Sequence, residues 1–346
     1  MNRLQANFVN LHSVAITMGS DYKKTLEENV HTIVFYNLEN LFDTVDDPDT
    51  LDDDFTPEGQ YKWNKKKYGK KLYMLAKAIF TVGYRTTKKP PVLVGLAEVE
   101  NRKVIKDLLS TGNLKKCPYG IVHYDSPDER GIDTGLIYDE RYFEVLDSAP
   151  IPVFLYEEDG KRDTTRDILY VHGKLNGEEV YIYVNHWPSR REGEDESDHK
   201  RMVAAETLLD HVVQVRERDP DPNFLILGDF NDNPDENSVR RLTETGFFYN
   251  PMEKLLNPHE MGTTNRNKRW SLFDQILISH NFLNYEEGTH SFMHADIFNE
   301  DLLSEWDGKY KGNPFRTFAG GKYLGGYSDH FPVYVKLRFN ERQEGS

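Results

Sequence analysis

Phe224-Leu225-Ile226-Leu227-Gly228-Asp229-Phe230-Asn231 is an apolar run of strand length that stops at Gly228 and gives way to residues able to carry chemistry. A continuous run of this kind reads as a strand buried on both faces, and therefore as part of a sheet covered on both sides. Asp229 and Asn231 then stand just past the carboxyl end of a core strand. Gly228 is expected to let the backbone turn there without a Cβ in the way. An aspartate and an asparagine two apart at such an end form a fixed carboxylate and amide, suited to a metal-bound phosphate. An Asx turn that merely closes the strand is the plain alternative. The other strand ends of the chain decide between the two.

Residues 31–36 read as a strand that runs into Asn37-Leu38-Glu39-Asn40, and residues 92–97 as a second buried strand that delivers Glu98. Shorter candidates follow at 120–124, 134–138 and 143–146, with Gly131-Ile132-Asp133 leading into the second of them. Residues 168–175 and 180–185 flank Asn176-Gly177, a strong hairpin signal, and the second arm ends in His186-Trp187-Pro188-Ser189-Arg190-Arg191. The strand at 272–279 carries Asp274 near its start, and Ser328-Asp329-His330 precedes the strand at 332–339.

Between the strands lie helical patterns. Tyr68, Leu72, Leu75 and Ile79 recur at helical spacing after the lysine-rich stretch 62–71, which predicts an amphipathic helix with a wet basic face. Residues 102–109 predict a short helix. Another begins at about Ser197 as N-cap, with Ala205, Leu208 and Val212 as its buried stripe and Arg201 one turn earlier on the same line. A cation in a first turn opposes the helix dipole, so local stability does not explain Arg201. The aspartates between Asp43 and Asp54 lack the ligand spacing and glycine of an EF-hand loop and read as a solvated loop.

Composition bounds the function. The chain of 346 residues carries a formal charge of −15, which argues against a general electrostatic affinity for nucleic acid. A divalent cation can still supply positive charge locally. One cysteine, Cys117, leaves no intrachain disulfide and no cysteine-rich metal site, and suits cytoplasm and periplasm alike. No apolar run approaches the length of a membrane helix. Residues 8–18 are mildly apolar but interrupted by Asn10, His12 and Ser13, a weak match to a secretory leader. We therefore read an N-terminal extension over 1–30 and a single domain over 31–340, with no compartment, oligomeric state or protein partner assigned.

Five strand boundaries thus carry Asn37, Glu98, His186, the Asp229/Asn231 pair and Asp329/His330, and a sixth carries Asp274. Singly each has a plain reading as a turn, cap or core residue; aspartate and asparagine are nonetheless poor strand formers, and their recurrence at strand mouths points to one site. Glu98, Asp329 and Asn37 offer hard oxygens that suit Mg2+ or a similar cation, while histidine changes charge near neutral pH. An aspartate hydrogen-bonded to a histidine fixes its tautomer and favours its charged form. Together these groups can direct water at a phosphoester.

The ordered set Asn37-Leu38-Glu39-Asn40, Glu98, His186, Gly228-Asp229-Phe230-Asn231, Asp274-Gln275-Ile276 and Ser328-Asp329-His330 resembles the endonuclease/exonuclease/phosphatase superfamily over roughly residues 31–340. The resemblance implies a four-layer α/β/β/α sandwich with two mixed β-sheets packed face to face. It implies Asn37, Glu98 and Asp329 as metal ligands for Mg2+, with Mn2+ or Ca2+ as substitutes. Asp229 would orient or deprotonate the attacking water, Asn231 would bond a phosphate oxygen, and His330 paired with Asp274 would stabilise the transition state or act in proton transfer. His186 would be the second catalytic histidine, where apurinic endonucleases place a tyrosine. Arg190, Arg191 and Arg201 are candidate clamps for a substrate phosphate, with pairing to nearby acids as the alternative, and Arg166 and Arg316 are weaker candidates. The expected activity is Mg2+-dependent phosphoester hydrolysis, nucleic acid first, with a small or lipid-derived phosphoester as alternative. A non-catalytic binding module on the same fold would show gaps among these positions, and there are none.

Overall fold

The computed structural model describes residues 28–342, apart from 158, 191 and 192. Most of the expected N-terminal extension lies outside the described residues. The chain opens with β1 (Val30–Leu41), buried along nearly its whole length. Helix α1 (Lys65–Thr87) is capped by Asn64, whose side chain accepts from the Lys66 and Lys67 amides and so satisfies two otherwise orphaned donors. Then come β2 (Leu93–Val99), α2 (Arg102–Leu109), β3 (Tyr119–His123), β4 (Asp133–Asp139) and β5 (Phe143–Ile151). The pair β6 (Leu155–Tyr156) and β7 (Arg162–Asp163) precedes the long hairpin of β8 (Ile168–Leu175) and β9 (Glu178–His186). Asn176 and Gly177 both take positive φ, 48° and 88°, as a two-residue hairpin turn requires.

Helix α3 (Glu194–Arg218), β10 (Phe224–Asp229), α4 (Asn237–Thr243) and β11 (Phe248–Tyr249) follow. A small hairpin, β12 (Thr264–Arg266) and β13 (Arg269–Ser271), leads into β14 (Asp274–Ser279) and β15 (His290–Ile297). A second small hairpin, β16 (Phe318–Ala319) and β17 (Lys322–Tyr323), precedes the closing strand β18 (Val333–Phe339).

Two six-stranded mixed sheets result, in the orders β15-β18-β1-β2-β4-β3 and β11-β14-β10-β9-β8-β5. The alternation of side chains along a strand explains how they stack. Leu225 and Leu227 of β10 join the core shared with the first sheet, while Phe224 and Ile226 lie under α3 with Ala205, Leu208 and Val212. Helices α1 and α2 cover the outer face of the first sheet through Leu75, Ile79 and Ile105. Four layers, α/β/β/α, are the outcome. The sheets meet closely at Gly95 of β2, where a Cβ would stand 3.2 Å from Phe35 of its own sheet and 3.3 Å from Val184 of the other.

Three local expectations are corrected. Gly228 is not a turn residue: it lies within β10, where a Cβ would come within 2.6 Å of the Asn185 Cβ and 2.8 Å of its carbonyl oxygen. The turn falls to Asn231, with φ of 51°. Helix α3 starts at Glu194 behind Gly193, so Ser197 is one turn inside and its hydroxyl donates back to the Gly193 carbonyl at 2.7 Å. The basic face of α1 is not wholly wet, because Lys71 is buried, donating to Thr317 Oγ1 at 2.6 Å and to the Tyr327 carbonyl at 2.7 Å.

Candidate active site

Strand register assembles one half of the site. Asp229, the last residue of β10, is paired with His186 across the parallel neighbour β9 and with Asp274 across the antiparallel neighbour β14. Three adjacent strand ends of one sheet therefore present a carboxylate, an imidazole and a second carboxylate side by side. The first sheet supplies the other half: Asn37 from β1, Glu98 from β2, and the Asp329-His330 segment that enters β18. Asn37 joins the two, donating from Nδ2 to Asp229 Oδ2 at 3.0 Å while its Oδ1 accepts from the Glu39 amide. Ser328 Oγ donates to the Asn37 carbonyl at 2.7 Å and accepts from the His330 amide, fixing the last segment to the first.

His330 Nδ1 lies 2.6 Å from Asp274 Oδ2 and its Nε2 lies 4.0 Å from Asp229 Oδ2. His186 Nε2 approaches the same Asp229 oxygen at 3.8 Å and Glu98 Oε1 at 3.9 Å. A single carboxylate oxygen thus stands between two imidazoles. Burial pushes the Asp229 carboxyl up to about 7, Asp274 adds to the rise, and His330 with the donors of Asn231 and Asn37 pulls against it. Burial by itself would lower His330, but the charge and hydrogen bond of Asp274, with Asp229 and Asp329, hold the imidazole well above its ordinary value. Burial also works against the charge on Asp329, yet His330, Arg316 and Lys71 hold it below the usual carboxylate range. The site therefore keeps a cationic imidazole beside its carboxylates.

The backbone around these groups is strained. Glu39, Asn40, Glu98 and Asn231 all have φ between 51° and 60°, a region that residues other than glycine enter at a cost. Each is held by specific bonds. The Asn40 amide donates to Glu98 Oε2 at 2.8 Å, the Thr317 amide to Glu39 Oε2 at 2.6 Å, and the Asn231 amide to Asp229 Oδ1 at 3.0 Å.

A cleft of about 680 Å³ opens over this arrangement, lined by Glu98, His186, Asp229, Asn231, Asp329 and His330 among others. Asn37 and Asp274 stand behind it, buried, as the bonds above require. The structure thus gathers the expected carboxylates, amides and histidines in one place.

The family model described as Endonuclease/Exonuclease/phosphatase family matches residues 32–339. The chain belongs to the endonuclease/exonuclease/phosphatase family. Members of this family hydrolyse phosphoesters and generally use divalent metal ions. No curated protein matches the chain at a significant level. Among solved structures, an endonuclease/exonuclease/phosphatase family protein from Bacteroides thetaiotaomicron is 18% identical, with a TM-score of 0.56 over 90% of this chain and 99% of its own. A mannosyl-6-phosphatase from the same organism is 19% identical, with a TM-score of 0.55 over 89% and 100%. The catalytic domain of human nocturnin is 14% identical, with a TM-score of 0.54 over 90% and 95%. At such identities the likeness is one of fold.

For an endonuclease/exonuclease/phosphatase chain the metal is the first question. Glu98 and Asp329 place hard carboxylate oxygens on the cleft wall, and no thiolate is near, a donor set that fits an oxygen-preferring divalent cation. Asn37 is placed differently from the other two, with its amide already bonded to Glu39 and Asp229.

The arginines divide. Arg190 lines the cleft, donating to the Asn231 carbonyl at 2.7 Å, to Asp232 at 2.6 Å and to Glu236, with its guanidinium 4.8 Å from the Phe273 ring centre. Arg201 does not reach the cleft: it is buried beneath it, with Nε 2.7 Å from Asp232 Oδ1 and Nη1 donating to Ser197 Oγ at 2.6 Å. The direct phosphate clamp expected of it is corrected to a framework role, because burial against Asp232 leaves it no face toward substrate. Arg191 lies outside the described residues. Arg166 holds the end of β9, donating to the His186 and Trp187 carbonyls and pairing with Asp128 at 2.9 Å. Arg316 donates to Asp329 Oδ2 at 2.6 Å.

Sequence reasoning missed Arg130, which lines the cleft and donates to Asn40 Oδ1. It also missed the buried pair of Glu39 and Lys71 behind the cleft, 3.6 Å apart. Burial pushes the Glu39 carboxyl up to about 7 and lowers Lys71. Glu39 belongs to the Asn37-Leu38-Glu39-Asn40 segment at a strand mouth, whereas nothing in the sequence separates Lys71 from its exposed neighbours.

Proposed function

We propose that the chain is a Mg2+-dependent phosphoesterase that cleaves a P–O bond by direct attack of water, with phosphodiesters of nucleic acid as its first substrate class. The observation that carries the reading is the single Asp229 oxygen set between His186, His330 and the Asn37 amide, beside Glu98 on the opposite sheet. Asp229, its carboxyl pushed up to about 7, is suited to take a proton from water near neutral pH. The water oxygen forms the new bond to phosphorus as the ester oxygen departs. His330, kept charged and oriented by Asp274, stands where negative charge builds on the phosphoryl oxygens. Asn231 uses one amide N–H on the Trp187 carbonyl at 2.9 Å, which leaves its other N–H for a phosphate oxygen.

Glu98, Asp329 and the Asn37 oxygen are the residues that would hold the cation. Bound there, Mg2+ would act as a Lewis acid on the phosphoryl group. A small or lipid-derived phosphoester is the second reading, favoured by the net charge of −15, which gives little general attraction to a nucleic-acid backbone.

The test is hydrolysis of bis(p-nitrophenyl) phosphate, plasmid DNA and an inositol phosphate, with Mg2+ and with EDTA. Hydrolysis is expected with Mg2+ alone, and His330→Ala is expected to lower kcat by about 100-fold or more. Turnover that survives both EDTA and the substitution would overturn the reading.

A further inference from the structure

Ahead of Asp274 the chain makes the small hairpin β12–β13, whose tip reads Arg266-Asn267-Lys268-Arg269. Asn267 and Lys268 have φ of 53° and 65°, the backbone of a tight two-residue reversal. The hairpin's root is fixed to the active-site segments. Thr263 donates to the Ser271 carbonyl at 2.8 Å, and its own carbonyl accepts from the Phe331 amide at 2.8 Å, immediately after His330. Trp270 stacks on Phe331 with ring centres 6.0 Å apart and planes 18° from parallel.

The tip is costly as a piece of folded structure. Arg266 and Arg269 are direct cross-strand partners, and like charges facing each other across an antiparallel pair are destabilising. Lys268 adds a third cation. Among the described residues, no carboxylate forms an ion pair with any of the three, although the chain has a net excess of acids. Arg190 and Arg316, by contrast, are matched to Asp232 and Asp329. Arg266 and Arg269 line the same cleft as Asp229 and His330, and Arg266 also lines an adjoining hollow of about 400 Å³.

We propose that Arg266 and Arg269 form a subsite for a second phosphate of the substrate, held beside the one that is hydrolysed. The proposal rests on the hydrolase reading above and narrows it to molecules with at least two phosphate groups. A phosphate between the two guanidiniums relieves their repulsion and matches their planar donors. The adjoining hollow gives the intervening part of the substrate a path. The next phosphate along a nucleic-acid strand and the second phosphate of a small bisphosphate share this chemistry.

The test compares wild type with Arg266→Ala/Arg269→Ala and Arg266→Lys/Arg269→Lys on three substrates: bis(p-nitrophenyl) phosphate, a DNA octanucleotide and a hexose 1,6-bisphosphate. For the alanine pair, kcat/KM on the octanucleotide or the hexose bisphosphate relative to the one-phosphate substrate should fall by about tenfold or more, mainly through KM, as loss of charged hydrogen bonds implies. The lysine pair should recover part of it, and the substrate on which the ratio falls names the source. A ratio unchanged on both the octanucleotide and the bisphosphate overturns the subsite. Binding of a labelled octanucleotide in EDTA, followed by anisotropy with the hexose bisphosphate as competitor, reads the subsite without turnover. A wild type that hydrolyses nothing yet loses affinity in the alanine pair defeats the hydrolase reading alone; equal affinities for octanucleotide and bisphosphate in wild type and alanine pair overturn the subsite.

Discussion

Asp232 follows the Asp229/Asn231 pair and takes no part in the expected chemistry, yet it receives both Arg190 and Arg201 on one oxygen. Removing Arg201 takes one of two cations from buried Asp232 while Arg190 stays, and a lost hydrogen bond to a charged group costs about 1.5–3 kcal/mol. Arg201→Ala is therefore expected to lower the unfolding free energy by that order, read as a fall in the urea midpoint, and an unchanged midpoint would contradict the framework role given to Arg201. The inward placing of Arg201 was legible from its position in line with Ala205, Leu208 and Val212. Its destination was not, because Asp232 becomes its neighbour only through the fold. The same holds for Lys71, one lysine in a run of lysines, buried because Thr317 and Tyr327 arrive from the far end of the chain. Asn37, Glu98, Asp229 and His330 were legible for the opposite reason: each is a polar residue at a strand mouth, where apolar patterning stops.

Strands carried the readable part of the fold. The expected runs fall on β1, β2, β8, β9, β10, β14 and β18. β1, β2 and β9 run on past the apolar signal to Leu41, Val99 and His186, where polar residues continue the hydrogen-bond ladder; β8 keeps the expected bounds, and β14 and β18 begin later than expected, at Asp274 and Val333. The 143–146 candidate grows to β5 through a register shift between Val145 and Asp147, which apolar patterning does not encode. Gly228 shows how a right residue can be read for the wrong reason. Its value is close approach and not flexibility, since the Asn185 backbone occupies the place of a Cβ. Gly228→Ala is expected to cost about 1–3 kcal/mol by overpacking a strand that cannot retreat. Urea unfolding measures it, and a neutral result would mean that β9 and β10 can separate there.

Across the whole molecule, the two sheets are tied at both poles. Opposite the cleft, His290 of the first sheet bonds Glu178 of the second through its amide at 2.8 Å and through its ring, and buried His31 lies 5.6 Å from the His290 ring centre. Burial, then His290 and Lys89, lower His31 to about 2. An imidazole held neutral in the fold contributes stability that is fully present above its unfolded value near 6.5 and is lost as pH falls toward 2. At pH 5.5 the loss is about 1.4 kcal/mol. His31→Leu should therefore show a smaller drop in unfolding free energy than wild type between pH 7.5 and 5.5. Equal drops would mean that His31 is not held neutral.

At the other pole the cleft brings together Glu98 and Asp229 from different sheets, and the proposed reaction needs both. A double-mutant cycle of Glu98→Gln and Asp229→Asn, read as kcat/KM on bis(p-nitrophenyl) phosphate with Mg2+, tests this directly. Each single variant is expected to lose about 100-fold or more, and the double variant little beyond the worse single, as residues of one catalytic unit do. Wild-type kcat/KM in either single variant, or losses that simply multiply, would contradict a shared site.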